Sequence, residues 1–97
     1  KGVLLAPSAI EEVVRSIEGL GDEYEVIVEK VGDAERIRLR VETLPQAEDQ
    51  CMLIETELVN QLRLKTNLRY DIEICGCETL PRYDVKAKRF KDLRKKG

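Results

Sequence analysis

Two short runs with a repeat of two constrain this chain most. Glu23-Tyr24-Glu25-Val26-Ile27-Val28-Glu29 sets Tyr24, Val26 and Val28 on one side and mostly acidic residues on the other, and Arg36-Ile37-Arg38-Leu39-Arg40-Val41-Glu42 alternates cleanly. Successive side chains of a strand point to opposite faces, so this period specifies strands with one buried and one wet face. Val31-Gly32-Asp33-Ala34 interrupts the pattern, which makes the pair a hairpin. The arginines of the second run then face the glutamates of the first, and opposite charges across the strands favour that register. Arg36, Arg38 and Arg40 therefore read as structural, with a binding stripe as the alternative.

The hairpin needs something on its apolar face. After Pro7, Ser8-Ala9-Ile10-Glu11 fits a capping box, and Ile10, Val13, Val14 and Ile17 recur as one helical stripe. Gly19 is expected to end this helix in a left-handed conformation, with Leu20 folding back onto Val14. Beyond the Leu44-Pro45-Gln46-Ala47 linker, Asp49 to Thr66 reads as a second helix, capped by Asp49, with Cys51, Ile54, Leu58 and Leu62 inward. Leu68 to Cys75 alternates again as a third strand, Tyr70, Ile72 and Ile74 on one side. The order α-β-β-α-β predicts an α+β fold, a small two-layer sandwich with two helices on one face of a sheet of about three strands.

The 97 residues suffice for one domain, which buries roughly 60 to 65% of the surface its unfolded chain exposes. At 42% hydrophobic and 37% charged the composition is that of a soluble protein, and no apolar run approaches the roughly 18 residues of a membrane span. No signal peptide is visible at the start, so a cytoplasmic location is expected, without membrane partners. The chain begins at Lys1 rather than Met, and a longer parent chain is the expectation.

The net charge of −2 hides an asymmetry: residues 82–97 hold eight Lys or Arg against Asp84 and Asp92, a net of +6 that leaves −8 on residues 1–81. Thr79 to Phe90 is too irregular for a packed element after Pro81 and reads as a loop presenting a cation, the lysine of Val85-Lys86-Ala87. A compact ammonium on a flexible stem suits chemistry on phosphates and carboxylates. The plainer reading is a solvated basic tail. Three cysteines, Cys51, Cys75 and Cys77, give neither a disulfide framework nor the four ligands of a zinc site, so no metal is expected. Without histidine, Ser-His and Cys-His catalysis within the chain is excluded.

Two stretches together carry a resemblance. Gly2-Val3-Leu4-Leu5-Ala6-Pro7-Ser8-Ala9-Ile10-Glu11-Glu12 at one end, and Leu80-Pro81-Arg82 through Lys86-Ala87-Lys88-Arg89 to Asp92-Leu93-Arg94 at the other, resemble the C-terminal domain of the phenylacetate-CoA ligase family of adenylate-forming enzymes. The resemblance spans essentially the whole chain. It implies a mobile lid on a large N-terminal adenylation domain, in an enzyme of aromatic acid catabolism that makes an acyl-adenylate from MgATP and an aryl-acetic acid and then transfers the acyl group to CoA. ATP, Mg2+ and coenzyme A are the implied cofactors of the full-length enzyme, with none expected on this domain, which is inactive alone. The resemblance assigns Lys86 to adenylation, and Gly2 and Arg82 to cofactor binding, Gly2 in a loop at the pantetheine channel of the thioester step. Val85 stands where the family usually has glycine, a departure that bears on Lys86 because a β-branched residue narrows the backbone's choices.

The competing reading is a free-standing α+β regulatory or nucleic-acid-binding module whose basic tail contacts phosphates. An acidic body and only four aromatics, Tyr24, Tyr70, Tyr83 and Phe90, argue against specific nucleic-acid binding.

Overall fold

A computed structural model describes residues 5–76, 79–82 and 85–94, with backbone alone at Lys86 and Ala87. Helix α1 (Pro7–Ser16) leads into strands β1 (Leu20–Val31) and β2 (Ala34–Thr43), a 3-10 segment at Pro45–Gln50, helix α2 (Cys51–Thr66), strand β3 (Asp71–Cys75), a 3-10 turn at Lys86–Arg89 and strand β4 (Phe90–Asp92). The sheet order is β3-β2-β1-β4, with β1 and β2 antiparallel and each outer strand parallel to its neighbour. This is the α+β fold expected, with four strands among the described residues instead of about three. The additional strand lies in the stretch read as a tail, where three residues are too few to show alternation.

The hairpin forms because both its faces and its turn agree. Gly32 has φ 63° and opens a two-residue turn with Asp33 between the paired residues Val31 and Ala34. A positive φ at the first turn position suits glycine and matches the twist of the flanking strands. On the inner face Tyr24, Val26, Val28, Ile37, Leu39 and Val41 are buried against Ile10, Val13, Val14 and Ile17 of the α1 region and Ile54, Leu58 and Leu62 of α2. Both helices therefore cover one face, as the apolar stripes require.

The helix ends differ from expectation. Pro7 occupies the first turn of α1, where its missing N–H and fixed φ are no handicap, so the helix starts one residue before Ser8. The N-cap is Ala6, without a side-chain cap, and Glu11 turns away from the helix start toward Tyr24 and Arg15. Gly19 does have φ 96°, yet the helix has already ended with Ile17 extended. At Gly19 the demand is also steric: a Cβ there would stand 2.9 Å from Ala47 Cβ and 3.2 Å from Ile54 Cδ1. For α2 the cap is Gln50 rather than Asp49, because the 3-10 segment begun by Pro45 runs straight into the helix. Asn67, left-handed at φ 59°, closes it by donating its N–H to the Arg63 carbonyl at 2.9 Å.

Candidate functional site

The wet face of the sheet is a ladder of opposite charges. Arg40 Nη1 reaches Glu25 at 3.0 Å, Arg38 Nε reaches Glu29 at 3.0 Å, and both arginines also bond Glu73 of β3. Arg36 turns instead to Asp71, at 2.6 Å. The arginine row is thus structural, serving three strands at once. Glu25 is 2% exposed, held between Arg40 and Lys91 of β4, whose Nζ donates at 2.9 Å. A carboxylate so far from water needs that double pairing.

The segment after β3 is fastened at two places. Glu42, buried at the end of β2, accepts the Leu80 N–H at 2.7 Å and Arg82 Nη1 at 3.0 Å. Leu80 is buried there, while the Arg82 side chain stays half exposed. Arg82 also borders a cleft of about 320 Å³ with Gly21, Asp22, Glu23, Glu42, Thr43 and Leu44.

Farther on, Phe90, Lys91 and Asp92 pair with Val26, Ile27 and Val28, and the Leu93 N–H donates to the Val28 carbonyl at 2.7 Å. The parallel direction of β4 puts the preceding turn, Lys86–Arg89, toward the start of β1. That turn opens with the Lys88 N–H on the Val85 carbonyl at 3.0 Å.

The turn is clamped by Arg89, which the tail reading overlooked. Its guanidinium lies 5.0 Å from the centroid of the Tyr24 ring, with Nη2 3.3 Å from Glu23 Oε1 and Nη1 3.8 Å from Glu11 Oε1. Tyr24 donates its hydroxyl to Glu11 at 2.6 Å and meets Phe90 edge to face at 6.2 Å. Burial, then the hydrogen bond to Glu11, pushes the Tyr24 phenol up to about 12. Glu11, read as a capping residue, thus joins α1 to the base of the lysine turn. Glu23 borders the Arg82 cleft and pairs with Arg89, so the surroundings of Arg82 and the lysine turn share one carboxylate.

Of the other expected site residues, Gly2 lies outside the described residues, as does Cys77. Cys51 and Cys75 are free thiols, Cys75 with Sγ 4.0 Å from Arg40 Nη2. Among the described residues no group of three or more His, Cys, Asp or Glu is placed to hold a metal, and no helix is long and apolar enough to cross a membrane.

Residues 2–94 match the family of AMP-binding enzyme C-terminal domains, and the chain belongs to that family. It is similar to phenylacetate-coenzyme A ligase of Escherichia coli (strain K12), at 28% identity over 98 residues, which covers 97% of this chain and 22% of that enzyme. The chain thus spans about a fifth of this curated relative. A domain of phenylacetate-coenzyme A ligase from Bacteroides vulgatus ATCC 8482 has the same fold, with a TM-score of 0.78 at 22% identity over 89% of this chain and 81% of that one. So does 2-hydroxyisobutyryl-CoA ligase in complex with 2-HIB-AMP and CoA in the thioesterification state, with a TM-score of 0.82 at 22% identity over 92% of this chain and 19% of that one.

Proposed function

We propose that this domain is the mobile C-terminal lid of an AMP-forming acid-CoA ligase, acting on an aryl acid such as phenylacetate, and that it brings Lys86 to the adenylation step. Family membership across residues 2–94 carries this reading. The anchored turn at Lys86–Arg89 supports it physically, because a lysine that acts in a transition state gains from a backbone held in place beforehand. In the second step the Gly2 loop would approach the pantetheine arm, and Arg82 at the mouth of its cleft would contact the nucleotide. ATP with Mg2+ and then CoA belong to the full-length enzyme, whose N-terminal adenylation domain is the partner of this one.

The nucleic-acid alternative loses its footing in the charge pattern. Arg82, Arg89, Lys91 and Arg94 all make ion pairs with carboxylates of this domain. A phosphate backbone would have to compete with each of them.

Adenylation brings an anionic carboxylate to an anionic α-phosphate, and an ammonium placed there offsets the repulsion most where charge develops. In the full-length enzyme Lys86→Ala should slow carboxylate-dependent pyrophosphate exchange by about two to three orders of magnitude, the usual effect of removing one such group. Consumption of CoA with a supplied acyl-adenylate should change far less. Unimpaired exchange, or greater damage from Lys88→Ala, would refute the role of Lys86.

A further inference from the structure

Arg89 is the buried member of the turn that carries Lys86: its side chain is 7% exposed, whereas Lys88 is exposed. A guanidinium out of water is unfavourable unless its surroundings compensate, so its placement calls for a reason. Those surroundings come from elements distant in the chain. Glu11 belongs to α1, and Asp22, Glu23 and Tyr24 belong to β1. The hydrogen bonds are long, 3.4 Å from Nε and 3.3 Å from Nη2 to Glu23 Oε1 and 3.5 Å from Nη2 to the Asp22 carbonyl. Nη1 is buried without a hydrogen bond among the described residues, facing Glu11 at ion-pair distance. The side chain is therefore held by the face of Tyr24 and by two carboxylates rather than by a tight fork. Such a planar cation suits stacking in a way that a lysine ammonium does not.

We propose that Arg89 is the positioning residue for Lys86, fixing the 3-10 turn against α1 and β1 so that the lysine backbone starts each adenylation from one place. The inference rests on the role given to Lys86 above and adds what sets its position. The upstream fastening, Leu80 and Arg82 on Glu42, lies several residues before the turn, and β4 begins only after it. Arg89 ties the turn itself.

The test uses the full-length ligase and reads both half-reactions separately. A displacement of about 1 Å in a reacting group can lower a rate roughly a hundredfold. Arg89→Met should therefore lower kcat for pyrophosphate exchange about ten- to a hundredfold with little change in KM, while CoA consumption from a supplied acyl-adenylate stays within about twofold. Arg89→Lys, with the charge but without the plane, should fall between. In a Lys86→Ala background, Arg89→Met should cost less than about threefold more, because two residues acting through one ammonium are not additive. Equal losses in both half-reactions, or additive losses in the double variant, would show general structural support and overturn the inference. If Lys86→Ala impairs exchange and Arg89→Met does not, the positioning role alone fails. If Lys86→Ala leaves exchange intact, the role of Lys86 fails and this one with it. Should Arg89→Met not fold, Glu23→Gln keeps the shape of the clamp while removing one charge. The same split, smaller, is then expected, and its absence is equally decisive.

Discussion

The β1–β2 hairpin and the C-terminal segment from Thr79 to Arg94 belong to one sheet, yet they are held in different ways. In the hairpin, partners such as Glu25 and Arg40 or Val26 and Leu39 lie close in sequence and follow from an alternating pattern with a glycine at the turn. In the C-terminal segment most side-chain fastenings are long-range: Leu80 and Arg82 to Glu42, Arg89 to Glu11 and Glu23, Lys91 to Glu25, and Arg94 to Glu35 as well as to its neighbour Asp92. A local pattern announces itself, whereas a set of charges that each find a distant carboxylate looks like a solvated basic run until the fold is known.

The same contrast explains what could be read beforehand. The hairpin, both helices, β3 and the inward residues Ile54, Leu58 and Leu62 follow from periodicity, because burial on one face imposes it. The helix starts did not follow, since Pro7 and Pro45 overrode the caps at Ser8 and Asp49. Strand β4 was invisible for its shortness, and Arg89 for the company of other basic residues. Nothing in sequence spacing links Arg89 to Glu11 across 78 positions; only the stacking of α1, β1 and β4 does. The resemblance to a family singles out Lys86 and Arg82 as expected site residues, but nothing in the sequence pairs Arg82 with Glu42.

The contrast can be broken by experiment. The largest effect belongs to the hairpin: Leu39→Ala removes a fully buried side chain from the inner face and should destabilise the domain by about 2 to 5 kcal/mol, seen as a lower urea midpoint. A loss of much less than 1 kcal/mol would mean that the hairpin is not the body of the core.

A smaller effect sharpens the boundary between the regions, where Tyr24 carries the Arg89 clamp. Its phenol is raised from 10.0 to about 12 by burial and by Glu11. The unfolded chain then releases this proton near pH 10 and the folded one only near 12. The contribution is complete below pH 10 and is lost as pH rises toward 12. Denaturant titrations across that window should show stability falling, with a shallower fall for Tyr24→Phe. Identical slopes would place the Tyr24 hydroxyl in water rather than on Glu11.

The stretch following Lys86 is part of the folded sheet. The amide of Leu93 reports on it most directly, because its bond to the Val28 carbonyl at 2.7 Å exists only if β4 lies on β1. Native-state hydrogen exchange by NMR should find this amide about a hundredfold or more slower than in an unstructured peptide, an opening free energy of at least about 2.7 kcal/mol. Exchange of Leu93 at the peptide rate, with the β1 and β2 amides still protected, would return the segment to a solvated tail and leave Lys86 without a fixed turn.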